Sequence, residues 1–146
     1  MDRWSTDDPC QLVDELASSI GPGLWLNLLV RSIEDAIDFE ESVLGARTVY
    51  KDPAFAIMTF GESFWMLHSE TTYSDHPIAA VLGRGPFKGA GCEIRLQGCD
   101  PDTAETRANA KNYQVLAVSA DKPHGLRETF LLDSDGYVWV PSVLKK

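Results

Sequence analysis

The stretch LWLNLLVRSIEDAIDFEESVLGA, residues Leu24–Ala46, changes its apolar period halfway along. In the first half, leucine or valine fills every second position, which is the spacing of one face of a strand. In the second half, apolar side chains recur every three or four residues, as on a helix packed by one side. Ser32 is suited to cap that helix with Asp35 three residues later, and Gly45 is suited to end it. We therefore expect a strand followed by a helix that packs back onto the strand's apolar face.

The length and composition indicate one globular domain spanning residues 1–146. Hydrophobic residues make up 44% and charged residues 24% of the chain, which are ordinary proportions. No run approaches the ~18 apolar residues of a membrane span, and the N-terminus lacks the basic and apolar segments of a secretory signal. The three cysteines are odd in number and lack paired metal spacing. We expect a cytoplasmic protein.

The formal net charge of −9 limits the kinds of partner that we expect. A nucleic acid or an anionic membrane surface requires a basic field, so the charge argues against both. The same charge is compatible with a cationic small molecule. Ordinary solubility is the alternative explanation.

The order of patterns along the chain indicates two similar halves. Residues 1–23 form an extension in which Asp8-Pro9 starts a short amphipathic helix that ends before Gly21, packed on the outside or on a partner subunit. Residues 24–69 predict strand-helix-strand-strand-strand, and residues 91–143 repeat that order after a linker at 70–90. The expected later elements are strands at 47–50, 55–60, 63–69 and 92–97, a helix at 100–111, and strands at 113–118, 128–132 and 137–140.

At this point the sequence resembles the vicinal oxygen chelate superfamily of glyoxalases, bleomycin-resistance proteins and extradiol dioxygenases. The resemblance rests on VRSIEDAIDFEESVLGA (Val30–Ala46), DPDTAETRA (Asp100–Ala108), PHGLRE (Pro123–Glu128) and DSDGYVWV (Asp133–Val140). It implies an α+β fold of two βαβββ modules forming a curled mixed sheet, or half-barrel, around a cavity. It also implies a homodimer. Glu40 departs from the pattern, because such proteins often carry tyrosine after the helix phenylalanine.

The resemblance also implies where a metal would bind. Metal-using members place ligands at the positions that correspond to Trp25, Met66, Glu93 and Val140, and only Glu93 can bind a divalent cation. A shift of two residues brings in His68, with Asn27 as a weak third ligand. We therefore expect no metal. The alternative is one divalent metal ion held by His68 and Glu93, with further ligands misplaced or supplied by a partner chain.

Strand alternation indicates which side chains face the cavity. The residues on the faces opposite the helix-covered ones are the ligand-binding candidates: Trp25, Asn27, Phe64, Met66, His68, Glu93, Arg95 and Val140. One wall is then aromatic and apolar and the other polar, which suits a mid-sized organic ligand. The alternative is that the aromatic residues only fill the half-barrel and that Glu93 and Arg95 form a structural salt bridge.

Three functional hypotheses follow. The first is a metal-free protein of the bleomycin-resistance type that sequesters a small molecule such as a drug. The second is a metal-dependent lyase, isomerase or dioxygenase of the glyoxalase type that acts on vicinal oxygens. The third is a metal-free enzyme in which His124 is the general acid or base and Glu128 orients it. The alternative for His124 is a loop residue satisfied by the backbone.

Overall fold

The computed structural model describes residues 9–19, 21–82 and 84–146, with side chains from residue 13 onward. The helices are α1 (Pro9–Ser19), α2 (Ile33–Ser42) and α3 (Pro101–Ala110). The strands are β1 (Asn27–Val30), β2 (Arg47–Lys51), β3 (Phe55–Phe60), β4 (Ser63–Ser69), β5 (Glu93–Gln97), β6 (Gln114–Asp121), β7 (Leu126–Leu132) and β8 (Val138–Leu144). Two 3₁₀ turns, Glu70–Tyr73 and Pro77–Ala80, lie between β4 and β5.

The strands form two four-stranded mixed sheets with the same topology. Sheet 1 has the order β1-β4-β3-β2 and sheet 2 has the order β5-β8-β7-β6. In each sheet the opening strand pairs in parallel with the last strand of its module, and the other pairs are antiparallel. Neither sheet closes into a barrel. The prediction of an α+β fold with two βαβββ modules after an N-terminal helix is confirmed.

The two crossover helices begin where the sequence predicts. Ser32 Oγ accepts a hydrogen bond from the Asp35 backbone N–H at 3.2 Å, and Asp100 Oδ1 accepts one from Thr103 N–H at 2.8 Å. Each cap satisfies a donor that the first helical turn leaves without an intrahelical partner. After α2, Gly45 has a φ of +74°, the left-handed conformation that ends many helices.

A single hydrophobic core lies between the two modules. It contains the helix-facing side chains of both sheets and the apolar faces of α2 and α3. The rings of Trp65 on β4 and Trp139 on β8 meet at its centre, with their centroids 5.5 Å apart. The helix-covered faces of the two sheets therefore pack toward each other, and the opposite faces, here called the open faces, turn away from the shared core.

Several element boundaries differ from the prediction. β1 begins at Asn27 rather than Leu24, and Leu24 is 97% exposed instead of packed beneath a helix. The alternating pattern continues upstream of β1, and the Leu26 carbonyl still accepts a hydrogen bond from the Met66 N–H at 3.0 Å, but the paired register with β4 begins at Asn27. In module 2, β5 begins one residue later than expected and the last three strands are longer than expected. In α1, Leu16 is buried, whereas the predicted cap Asp8 lies outside the described residues.

The linker packs against the tight turn between β7 and β8. Gly136 in that turn has a φ of +82°, and an added Cβ would lie 2.3 Å from the Pro86 carbonyl oxygen. The Lys88 backbone N–H donates to the Asp135 carbonyl at 3.0 Å, and Arg31 Nη2 donates to the Gly85 carbonyl at 2.9 Å. These contacts hold the linker to both modules.

Candidate ligand-binding site

The open face of sheet 1 brings together five of the predicted site residues. The register of the parallel pair sets Asn27 beside Met66, with Leu29 beside His68, and Phe64 lies on the same face of β4. Trp25, just before β1, meets Phe64 edge to face with ring centroids 4.6 Å apart. The five predicted residues (Trp25, Asn27, Phe64, Met66 and His68) are all partly exposed. This face therefore presents aromatic and thioether surface that the core does not use.

A hydrogen-bonded group lies within this aromatic surface. His68 Nδ1 is 2.6 Å from Asn27 Oδ1, and Asn27 Nδ2 donates to the Tyr73 hydroxyl at 3.0 Å. The Phe55 ring lies 4.6 Å from the imidazole and the Tyr73 ring lies 5.7 Å from it, between centroids. Partial burial lowers the pKa of His68, and the Asp52 carboxylate partly opposes that shift. The lowered pKa favours the neutral imidazole of His68 at pH 7.

Sequence reasoning missed Phe55 as a member of this face. Phe55 is paired with His68 in the antiparallel β3–β4 ladder, so the two side chains lie on the same face. The short turn at Gly61-Glu62 gives the signal that could have found it, because a tight hairpin fixes the register of the flanking strands. Tyr73, in the linker, joins the group. His76 accepts a hydrogen bond from the Ile78 N–H at 3.1 Å and so caps a 3₁₀ turn.

The open face of sheet 2 carries the predicted polar residues in an ion-pair network. Arg95 Nη1 lies 3.1 Å from Glu93 Oε2, and Arg95 Nη2 donates to Glu128, which is 3% exposed. His124 Nε2 lies 3.6 Å from Glu128 Oε2. The structure therefore brings His124 and Glu128 together, as the acid–base hypothesis requires, but Glu128 is shared with a guanidinium.

Val140 lies on the same face as Arg95 but is fully buried. Its position in the register follows the predicted alternation. Its side chain nevertheless offers no surface to a ligand in the single chain, so its expected direct role in ligand binding is not supported. Ser142, also fully buried, donates from Oγ to Gln97 Oε1 at 3.0 Å. The accessible polar groups on or beside this face include Glu93, Arg95, Gln97 and His124.

The aromatic and polar walls belong to different sheets whose covered faces pack together. His68 is bonded to Asn27 on sheet 1, and Glu93 is paired with Arg95 on sheet 2. Across residues 9–19, 21–82 and 84–146, no three His, Cys, Asp or Glu side chains gather into a possible metal site. The donor set of the described chain thus does not fit the metal centre that the fold family implies.

Two cavities adjoin the carboxyl end of β1, away from the predicted site. The larger, about 490 Å³, lies beside the start of α2; the smaller, about 280 Å³, lies under the linker. Both are lined in part by Arg31. The larger is also lined by Ser32, Ile33, Glu34, Lys51, Asp52, Pro53 and Ser69, and the smaller by Glu70, Ala79, Leu82, Arg84 and Lys88. Neither includes a residue of the predicted ligand-binding set.

The fold matches that of known proteins of one superfamily. A glyoxalase/bleomycin resistance protein/dioxygenase family enzyme from Burkholderia phytofirmans PsJN superposes with a TM-score of 0.68 at 16% identity, covering 83% of this chain and 97% of that one. A glyoxalase-related enzyme from Fulvimarina pelagi gives 0.67 at 13% identity, covering 85% and 88%. The fosfomycin resistance protein FosX from Listeria monocytogenes gives 0.62 at 12% identity, covering 86% and 95%.

This chain therefore has the vicinal oxygen chelate fold, as the resemblance of its motifs predicted. No protein-family model and no curated protein sequence matches it. At these identities the likeness concerns the fold. No helix in the described part of the chain is long and apolar enough to cross a membrane.

Proposed function

We propose that the protein binds a mid-sized organic molecule without a metal ion, as a small-molecule-sequestering protein of the bleomycin-resistance type. The observation that carries the proposal is the open face of sheet 1. There the rings of Trp25, Phe64 and Phe55 lie on the same face as the hydrogen-bonded pair His68–Asn27. Uncovered aromatic surface around a few convergent polar groups is typical of a ligand site.

Charge favours a ligand with a cationic portion. The chain carries a formal net charge of −9. On the open face of sheet 2, the two carboxylates of Glu93 and Glu128 are opposed by the single guanidinium of Arg95. A flat group stacked on sheet 1 and a cation near Glu93 would satisfy both walls.

A groove lined by both the aromatic wall and the polar wall requires two copies of the chain, so we include a homodimer in the proposal. Within one chain the Trp65–Trp139 contact joins the covered faces of the sheets, and the open faces turn away from it. The aromatic wall of one copy would then face the polar wall of another. Sedimentation velocity tests this step. We expect a dimer at micromolar concentration, and a monomer that still binds ligand would contradict it.

Isothermal titration with flat cationic antibiotics, bleomycin among them, tests the binding function. We expect saturable heat with at least one compound. Phe64→Ala should weaken binding by about fivefold or more, because losing one buried aromatic contact costs about 1 kcal/mol. Phe87→Ala is the matched control, since Phe87 is 53% exposed in the linker. Absence of heat across a broad panel, or equal losses in the two variants, would refute the proposal.

The second candidate is a metal-dependent lyase, isomerase or dioxygenase acting on vicinal oxygens. It is favoured by the two structural neighbours described as enzymes. Its donors would be His68 of one copy and Glu93 of another, a set the single chain does not assemble. Elemental analysis of protein purified without a metal-affinity step separates the candidates, because a stoichiometric divalent metal supports the enzyme.

The acid–base pair His124–Glu128 is the basis of the third candidate, a metal-free enzyme. Their separation of 3.6 Å places the two groups in contact, with Arg95 on the same carboxylate. If it is an enzyme of this kind, His124→Gln should abolish turnover and leave ligand affinity within twofold. The cytoplasmic location stays a prediction from the sequence.

A further inference from the structure

The hydrogen bonds of Asn27 determine which nitrogen of His68 carries its proton. In the structure the Asn27 amide N–H donates to the Tyr73 hydroxyl at 3.0 Å, and the amide oxygen faces the imidazole. A carbonyl oxygen only accepts, so His68 Nδ1 must donate at the 2.6 Å contact. A neutral imidazole with Nδ1 protonated has a lone pair on Nε2.

That lone pair has no hydrogen-bond partner within the described chain. The imidazole also contacts the rings of Phe55 and Tyr73. The histidine is half-buried on the open face, and burial favours its neutral form. Asp52 is the charged group that opposes this effect, and its own carboxylate is engaged by Tyr50 and by the backbone of Ala54 and Phe55.

We propose that Asn27 is a positioning residue that holds His68 as a hydrogen-bond acceptor, and that this subsite takes an uncharged O–H or N–H group on the flat portion of the ligand. The inference rests on the proposed binding function and names the chemistry of that same face. A ligand group that can only accept gains no hydrogen bond at Nε2. The flanking rings make the subsite selective for a donor attached to an aromatic or conjugated ring.

The tautomer is measured first, in the free protein. Two-bond ¹H–¹⁵N correlation spectra should show His68 protonated at Nδ1 and unprotonated at Nε2. The chain has only three histidines, and His68→Phe assigns the signals. Asn27→Ala should abolish the preference for this tautomer, whereas Asn109→Ala, at an exposed position on α3, should leave it unchanged. A proton on Nε2 in the wild type would overturn the inference.

Binding is then compared between phenol and anisole, two probes of similar shape of which only phenol has an O–H donor. We expect wild-type protein to bind phenol about 2–10-fold more tightly, the range of one neutral hydrogen bond. In His68→Phe, which keeps an aromatic ring, the ratio should fall to about one. If wild-type protein binds phenol and anisole with equal affinity, the inference is wrong, but the proposed ligand-binding face is unaffected. If neither probe shifts the His68 signals, both the inference and the proposed face are wrong.

Discussion

Replacing Glu40 by glutamine or leucine tests how the core accommodates a buried acid. Glu40 on α2 is 1% exposed, and its Oε2 accepts a hydrogen bond from Trp65 Nε1 at 2.9 Å. Burial raises the pKa of this carboxyl well above its ordinary value of 4.5. The indole hydrogen bond opposes that shift, and the nearby carboxylates of Asp133 and Asp135 add to it. The folded protein therefore binds the Glu40 proton more tightly than the unfolded chain does.

The sign of the pH dependence follows from that difference. Below pH 4.5 both states hold the proton, and as pH rises toward the folded-state pKa the unfolded chain releases it first. Glu40 thus lowers the free energy of unfolding as pH rises, by at most about 1.4 kcal/mol per pH unit. Glu40→Gln keeps an acceptor for Trp65 but has no proton to lose. Its stability relative to wild type should increase with pH.

Urea denaturation between pH 5 and pH 8 measures this pH dependence of the free energy of unfolding. Glu40→Leu should be less stable than Glu40→Gln by about 1–3 kcal/mol at every pH, because it leaves the Trp65 N–H buried without an acceptor. Glu62→Gln, in the exposed β3–β4 turn, is the control for loss of one negative charge. Parallel pH profiles for Glu40→Gln and wild type would refute the raised pKa. A leucine variant as stable as the glutamine variant would refute the role of the hydrogen bond.

Three further predictions concern the turn, strand β1 and the histidine. Gly136→Ala should destabilise by about 1–3 kcal/mol in urea denaturation, because its positive φ and the Pro86 carbonyl both exclude a Cβ; an unchanged midpoint would contradict the linker contact. Leu28→Ala should cost about 2–5 kcal/mol, whereas Leu24→Ala should stay within about 0.5 kcal/mol, since their exposures are 4% and 97%; equal costs would contradict the strand boundary. Asn27→Asp should raise the pKa of His68 in an NMR titration, because a carboxylate at that position stabilises the imidazolium; a lowered pKa would contradict their contact.

The sequence was sufficient for features that neighbouring residues determine. The change of period at β1 and α2 reflects burial on one side of each element, and the caps at Ser32 and Asp100 need only a short polar side chain before a helix. Strand alternation also predicted which faces carry Trp25 and Glu93, because successive side chains of a strand point to opposite sides. These features do not depend on where distant parts of the chain pack.

Contacts between distant parts of the chain could not be predicted from these local patterns. The beginning of β1 is set by where its ladder with β4 starts, and that ladder starts at Asn27, so the alternating pattern overestimated the length of the strand. Arg95 and Glu128 are 33 positions apart, and nothing in either local pattern indicates that they meet. The burial of Val140 depends on the side chains around it on the open face of sheet 2 rather than on its own alternation.

The relative orientation of the two walls is supported by hydrogen bonds that cross from one module to the other. The Tyr137 hydroxyl donates to the Leu29 carbonyl at 2.8 Å, the Arg31 backbone N–H donates to Asp135 Oδ1 at 2.9 Å, and the indole rings of Trp65 and Trp139 are in contact. Sliding one sheet over the other would separate these donors from their acceptors, and each buried group left unsatisfied costs about 1–3 kcal/mol. These contacts favour one packing of the covered faces. That packing turns the aromatic open face and the polar open face outward, which is why a ligand needing both walls requires a second copy of the chain.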